Sequence, residues 1–444
     1  MDHARDILVL GLPIIGSHLA QMALTVTDTL LLGRYGVAEL AAATIAGSVF
    51  FVIFILGAGF GQAIMPLVAQ AIGRGDETQV RRDARMGMWL SAAYGLMAVP
   101  LFWFSGSWLT ALGQTPDVVR LAQEFLRILG FGMIPALMVM ALRSSLSALG
   151  RPQIVLWVTI SAVALNALLA TTLIFGHWGA PELGIRGAAI STLTVQWATF
   201  AALAAYAHFN PGLRRFHLFW RFWRPDWSVL RSVFRLGWPI GVTGLAESGL
   251  FAASTIMMGW VGTVPLAAHG ITMQAAALAF MVHLGLSNAA TVLTGRAMGT
   301  GDARALRDAA RVAIAMSAGF AALIIALFLI FPHPILVLFL DTSKPEAPGI
   351  LVYGTTLLAL AALFQLADAM QVMALGLLRG IKDTKVPMWA AAISYWGIGI
   401  PVSYGLGFVI GWGGVGVWLG LSAGLAFAAG SMMIRFWRKA PAAG

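Results

Sequence analysis

Residues 41–72 read AAATIAGSVFFVIFILGAGFGQAIMPLVAQAI, a run of 32 residues without one ionisable side chain. A helix needs about 20 mostly apolar residues to cross a bilayer, so this stretch predicts a transmembrane span. Working outward, further apolar runs predict spans at 7–33, 86–112, 126–149, 153–176, 185–208, 234–259, 266–298, 312–340, 350–378, 386–410 and 414–435, twelve in all. The fourth is the weakest, because Arg127 and Arg143 sit close to its ends. The last two form one uncharged run divided at Gly411-Trp412-Gly413-Gly414. Composition agrees: of 444 residues, 59% are hydrophobic and 10% charged, and the mean hydropathy is +0.84. Soluble domains carry roughly 25% charge. The chain has no cysteine, which excludes disulfide frameworks, thiolate zinc sites and thiol nucleophiles. The start Met1-Asp2-His3-Ala4-Arg5-Asp6 runs into an apolar stretch too long for a cleavable signal.

A net charge of +10 and a pI of about 10.6 would suggest nucleic acid in a soluble protein. Here the charges are sorted by side. The N-terminus and every loop between an even and an odd span carry 23 of the 28 lysines and arginines. The other side keeps Arg34, Arg120, Arg127, Arg186 and Lys344. Basic loops stay in the cytoplasm. The expected topology therefore has both termini cytoplasmic and needs no nucleic-acid partner; the expected location is a bacterial inner (plasma) membrane.

The chain also repeats itself at an offset of 226 residues. Gly11 and Pro13 meet Gly237 and Pro239; Gly33 and Gly36 meet Gly259 and Gly262; Gly59 meets Gly285. Gly73, Gly75 and Asp76 meet Gly299, Gly301 and Asp302, and Arg81 and Arg85 meet Arg307 and Arg311. One ungapped offset holds for about 75 residues. It contains six spans, an even number, so both halves share one orientation and imply a pseudo-two-fold axis along the membrane normal. The expected fold is an all-α membrane protein: twelve transmembrane helices in two pseudo-symmetric six-helix lobes around a central cleft. The expected division is an N-lobe at 1–208, a cytoplasmic amphipathic linker at 209–233 and a C-lobe at 234–444. The loops at Gly73-Arg74-Gly75-Asp76 and Gly299-Thr300-Gly301-Asp302 read as helix caps followed by basic helices.

Ionisable residues at membrane depth are costly and mark function. Three acids lie inside spans: Asp28, Glu247 and Asp368. No lysine or arginine lies mid-span to neutralise them. A bare carboxylate is expensive in a dry interior, so a bound cation or a proton is the natural partner. Each acid sits on a polar helix face: His18, Gln21, Thr25 and Asp28; Thr243, Glu247 and Ser254; Gln365, Asp368 and Gln371. These faces should line the cleft, with Gln274 of the eighth span beside them. His18, His269 and His283 lack metal-ligand spacing and read as hydrogen-bonded histidines. The segment from Leu213 to Arg224 alternates arginines with aromatics and reads as an interfacial anchor. Gly411 to Gly416 fits G-x-G-x-x-G but follows a membrane helix, so it is discounted as a dinucleotide site.

Val26-Thr27-Asp28-Thr29, Ala246-Glu247-Ser248, Asp368-Ala369-Met370-Gln371 and Leu378-Arg379-Gly380-Ile381-Lys382-Asp383 together resemble one known family, as does Gly179-Ala180-Pro181-Glu182-Leu183-Gly184. The family is the multidrug and toxic compound extrusion (MATE) transporters, and Glu247 points to its NorM-like branch. The resemblance covers essentially the whole chain. It implies a transporter, not an enzyme, that exports organic, usually cationic, drugs against an inward sodium or proton gradient. It implies no cofactor beyond that coupling ion, a bilayer environment and a monomer. It implies a cation or proton site, with Na+ as one candidate, at Glu247 and Asp368, and an N-lobe polar site around Asp28 with Asn166 and Thr192. Two positions depart from the pattern: a second Asn is replaced by Ala170, and a Tyr by Phe364. Both losses remove donors that could surround sodium. They tilt the reading toward a proton and leave sodium open.

Other classes fit less well. A flippase for lipid-linked precursors would need several basic residues inside the cleft, where the sequence places acids. An intramembrane enzyme would need a nucleophile–base pair or metal ligands on facing spans. A passive channel has no need of two repeated lobes.

Overall fold

The computed structural model describes residues 3–440. Met1 and Asp2 of the charged start, and residues 441–444 at the end of the second lobe, lie outside the described residues. Among the described residues, twelve helices are long and apolar enough to span a membrane: α1 His3–Tyr35, α2 Val37–Gly73, α3 Glu77–Trp103, α4 Pro116–Ala148, α5 Pro152–Phe175, α6 Ile185–Phe209, α7 Trp227–Val261, α8 Thr263–Thr300, α9 Ala303–Ile330, α10 Ala347–Gly380, α11 Lys385–Val409 and α12 Gly414–Lys439. The described residues contain no strand.

Most spans fall where expected; two shift by about nine residues. The third begins at Glu77 rather than 86, and the ninth at Ala303 rather than 312. The cause is the cap. Gly75 (φ 70°) and Gly301 (φ 74°) turn the chain in the left-handed region that glycine adopts without strain. Asp76 then accepts from the backbone N–H of Gln79 at 2.9 Å, and Asp302 accepts from that of Ala305 at 2.8 Å. An aspartate N-cap starts a helix on the spot, so the basic residues that follow are its first turns rather than loop. Both helices end early as well, at Trp103 and Ile330, and short helices Ser105–Ala111 and Pro332–Phe339 follow. The fourth span is longer than expected and is interrupted by a tight turn at Gly130–Gly132.

The chain forms two compact units: residues 16–241, and residues up to Ile15 together with those from Val242 onward. Their bounds differ from the lobes read in the sequence. The start of α1 belongs with the second half of the chain, and the linker and start of α7 belong with the first. Packing gives the reason. In the first unit, Val229, Val233, Leu236 and Ile240 of α7 share a buried cluster with Ala63 and Leu67 of α2 and Met86 of α3. There Gly59 of α2 lies against the backbone of Gly237 and Gly241. In the other unit, Gly285 of α8 lies against Ile15 and close to Gly11. The pairs Gly59–Gly237 and Gly285–Gly11 map onto each other at the 226-residue offset. The repeated glycines are thus close-approach points where a membrane helix pair can pack backbone to backbone.

The linker is turns with one short helix at Arg214–Phe216. It is tied to α3: the Arg85 guanidinium donates to the Arg221 carbonyl at 3.1 Å, Trp89 Nε1 donates to the Phe222 carbonyl at 2.7 Å, and Arg82 pairs with Asp226 at 2.6 Å. Trp220 and Trp223 stay exposed, as an interfacial anchor requires.

Candidate functional site: two carboxylate clusters within the spans

In the unit of residues 16–241, α1, α5 and α6 bring three residues together. Asn166 Nδ2 donates to Asp28 Oδ1 at 2.7 Å, and Thr192 Oγ1 donates to Asp28 Oδ2 at 3.2 Å. Ser191 Oγ donates to Asn166 Oδ1 at 3.1 Å, which fixes the amide so that its N–H faces the acid. Each carboxylate oxygen of Asp28 thus has a partner, although Oδ2 shares the single Thr192 hydroxyl with the Ala188 carbonyl at 3.0 Å. Asn166 is 1% exposed. Ala170 is fully buried among the apolar side chains of this unit.

The polar face of α1 is split between two partners. Gln21 does not join Asp28. It accepts from Arg143 Nη1 at 2.5 Å, while Arg143 Nη2 donates to Ser17 Oγ at 3.1 Å. His18 lies in the field of the same guanidinium. Arg143, expected near a loop, is instead buried in α4. Sequence reasoning missed this cluster. The signal was there: Ser17, Gln21 and an arginine on another span need one another, because a buried guanidinium must be hydrogen-bonded. Thr25 is exposed and sits one turn before Asp28.

In the other unit, α7, α10 and α11 build the second cluster. Asp368, Gln365 and Gln371 are at most 1% exposed and line one face of α10. Gln371 reaches Glu247 of α7 by a hydrogen bond, and Gln371 Nε2 also donates to the Tyr395 hydroxyl at 2.6 Å. Glu247 and Asp368 act on each other electrostatically. Glu247 Oε1, Asp368 Oδ1, Gln365 Oε1 and Gln371 Oε1 are buried and have no hydrogen-bond partner. Gln365 Nε2 is likewise buried without a partner, so the two carboxylate oxygens and the amides of this face leave hydrogen-bonding capacity unfilled.

Arginine is not wholly absent from this site. Arg379 stands eleven residues after Asp368, three helical turns along the same face, and acts electrostatically on Glu247. Arg379 lies in the last turn of α10, about 16 Å along the helix axis from Asp368, so it is an end-of-span residue and not a mid-span partner of the acids.

Tyr395 is the second residue the sequence reading missed. It is fully buried in a π-helical stretch of α11, Ile393–Gly399. A π-turn re-aims side chains off the α-helical period, so no 3.6-residue pattern could place this phenol. Its neighbour Trp396 donates from Nε1 to the Ala246 carbonyl at 3.1 Å. The indole also packs against Gly249, where a Cβ would collide with the ring. This lock holds α11 against α7 next to Glu247.

Other expected residues sit elsewhere. Phe364 packs edge-on between Phe251 and Trp418, with ring centroids 6.1 and 5.6 Å away, in an aromatic core. Gln274 is exposed on α8. Ser254 donates to the Phe251 carbonyl within its own helix, and Thr243 is buried. His269 meets Thr255 and Trp418, and His283 meets Ser317 at 2.9 Å, so both are hydrogen-bonded core histidines. Among the described residues, no group of three or more His, Asp or Glu side chains is arranged to hold a metal ion.

Twelve helices among the described residues that are long and apolar enough to cross a membrane mark the class as a multi-pass membrane protein. The MatE family model matches residues 13–172 and 239–405. A probable multidrug resistance protein NorM from Rhizobium meliloti is 47% identical over 436 residues, covering 98% of this chain and 93% of that protein. Its namesake in Agrobacterium fabrum is 46% identical over 435 residues, covering 98% and 94%. A solved structure described as the outward-facing conformation of a multidrug resistance MATE family transporter of the MOP superfamily matches with a TM-score of 0.90 at 21% identity, over 99% of this chain and 96% of that one. The chain belongs to the MatE family, whose members are transporters and not enzymes.

Proposed function

We propose that this protein is a secondary active multidrug efflux transporter. It exports organic, mainly cationic compounds by antiport with H+ or Na+ through alternating access. It acts as a monomer in a bacterial inner membrane, with both termini in the cytoplasm and no resident cofactor. The relatives' description as probable multidrug resistance proteins supports the substrate class.

One observation carries the coupling assignment: Glu247 and Asp368 each keep a buried carboxylate oxygen without a hydrogen-bond partner. Two neighbouring acids in that state are poised to take up a cation. The cation neutralises the pair from one side of the membrane, and an entering drug of the same charge competes with it. Antiport follows from that competition. Carboxylate and amide oxygens of Glu247, Asp368, Gln365 and Gln371 supply ligands of the kind sodium takes, so Phe364 does not by itself exclude sodium. A proton needs fewer ligands, and the reading favours it. Arg143 gives no support to a flippase. It is a single guanidinium held by neutral Gln21 and Ser17, whereas a pyrophosphate calls for several basic groups.

Everted vesicles loaded through this protein test the assignment. Ethidium or norfloxacin transport should stop when the coupling gradient is collapsed, with sodium and proton gradients dissipated separately. In sodium-free proteoliposomes a pH gradient should suffice, and drug should release protons from the solubilised protein. Transport that requires sodium and ignores the pH gradient would overturn the proton reading and leave the carboxylates in place. Transport indifferent to both gradients would overturn antiport.

A further inference from the structure

A groove of about 860 Å³ runs between α9, α10 and α12, within one compact unit. Leu363 and Leu366 of α10 and Leu419 and Met433 of α12 form its apolar walls. Arg311 of α9 and Trp437 of α12 line it as well. From Leu419 to Trp437 it follows α12 for about 27 Å, at 1.5 Å per residue. A groove of that size takes a drug-sized occupant or part of a lipid whose remainder lies in the bilayer.

Charge decides which. Arg304, Arg307 and Arg311 lie in the first turns of α9, and Arg435, Arg438 and Lys439 in the last turns of α12. Arg435 and Lys439 are engaged by Asp383, at 2.7 and 3.2 Å. Arg307 donates to the Ala440 carbonyl at 3.3 Å and stands 6.0 Å over the Trp437 ring. Arg311 pairs only with its helix neighbour Asp308, at 3.3 Å, and its side chain is 64% exposed. An exposed pair of that kind is weak, so the Arg311 guanidinium remains open to a stronger anion. Such a basic rim repels organic cations. A tryptophan at the rim is the usual marker of headgroup depth, and basic pockets between membrane helices hold anionic headgroups.

We infer that the groove between α9, α10 and α12 binds one anionic phospholipid, its acyl chains along Leu363, Leu366 and Leu419 and its phosphate at Arg311 beside Trp437. The site is separate from the acid cluster, and its occupancy is independent of which ion drives transport.

The test is native mass spectrometry of the full-length protein with dioleoylphosphatidylglycerol and dioleoylphosphatidylethanolamine offered in equal amounts. The wild type should retain one phosphatidylglycerol, preferred by about fivefold, the ratio set by about 1 kcal/mol for a basic residue near an anionic lipid. Arg311→Ala should bring the ratio to near one. Ala426→Phe, which places a ring in the groove from an exposed alanine that lines it, should abolish retention of either lipid there. Equal retention of both lipids by the wild type overturns the proposal, as does unchanged preference in both variants. Displacement of the phosphatidylglycerol by micromolar ethidium would make the groove a drug site instead. Loss of the lipid on formation of a dimer would make it a contact between copies.

Discussion

The two acid clusters solve the same electrostatic problem in opposite ways. Asp28 is held by Asn166 and Thr192, one donor for each oxygen. Glu247 and Asp368 are set close to each other and each left with an unpartnered oxygen. A carboxylate whose acceptors are filled by fixed donors has little left to offer a mobile cation. A pair of under-satisfied carboxylates has a standing deficit that only a cation or a proton removes. The difference supports the proposal that coupling resides at Glu247 and Asp368, in the unit that carries α7, α10 and α11, rather than at Asp28.

The sharpest way to break that contrast is to neutralise the second cluster. Asp368→Asn with Glu247→Gln keeps the shape and removes both charges. Gradient-driven ethidium efflux should fall to the level of vesicles without the protein, while expression and thermal stability hold. Wild-type efflux from a well-folded double variant would sink the assignment.

Next in size is the first cluster. Asn166→Ala strips the donor from Asp28 Oδ1 and should cost about 1–3 kcal/mol of stability, the penalty for a buried acceptor left unpaired, read as a lowered melting temperature in detergent. Efflux should weaken but keep its dependence on the driving ion. If Asn166→Ala or Asp28→Asn makes transport insensitive to the ion gradient with Asp368 intact, coupling belongs to Asp28 instead.

A smaller effect is expected at Tyr395. Tyr395→Phe removes the hydroxyl that accepts from Gln371 and loosens the amide that also bonds Glu247. Half-maximal transport should then require a several-fold different concentration of the driving ion, at nearly unchanged maximal rate. A change in maximal rate alone would mean that the phenol serves packing and not the site.

The smallest effect lies outside the membrane. Asp226, just before α7, has its carboxyl held down at about 2 by the Arg82 guanidinium, helped by Ser228 and the Val229 N–H. A depressed folded-state value adds stability above the ordinary carboxylate range, and that stability is lost as pH falls toward 2. The pair is solvent-accessible, so it contributes under about 1 kcal/mol. Asp226→Asn should melt slightly below wild type at pH 7, and the gap should close as pH drops from 4 to 2. A gap that widens on acidification would show that Asp226 is not a paired carboxylate.

Much of this was legible in the chain. Apolar run length set the number of spans, since a helix in lipid must satisfy its own backbone and reach across about 30 Å. The offset of 226 located the repeat, and the charge cost at membrane depth singled out Asp28, Glu247 and Asp368. Asn166 and Thr192 came from family likeness and do meet Asp28. Less legible were residues whose role depends on what stands opposite. Phe364, which stands where the family pattern has a Tyr, packs in an aromatic core. Gln21 was read with Asp28 and belongs to Arg143.

The sequence by itself determined the solvent, the span count, the internal repeat and the three acids, because each follows from composition or spacing along one chain. Only the tertiary structure decided which acids are satisfied and which are not. That depends on donors arriving from other helices, Asn166 and Thr192 for Asp28 and Gln371 for Glu247, and on the Tyr395 hydroxyl that accepts from Gln371 by way of a π-turn that no helical period reveals. It also decided that the start of α1 and the start of α7 each pack into the other half's unit. The glycines that permit this were visible as a repeat, but their meaning lies in a backbone approach that exists only once two helices have met.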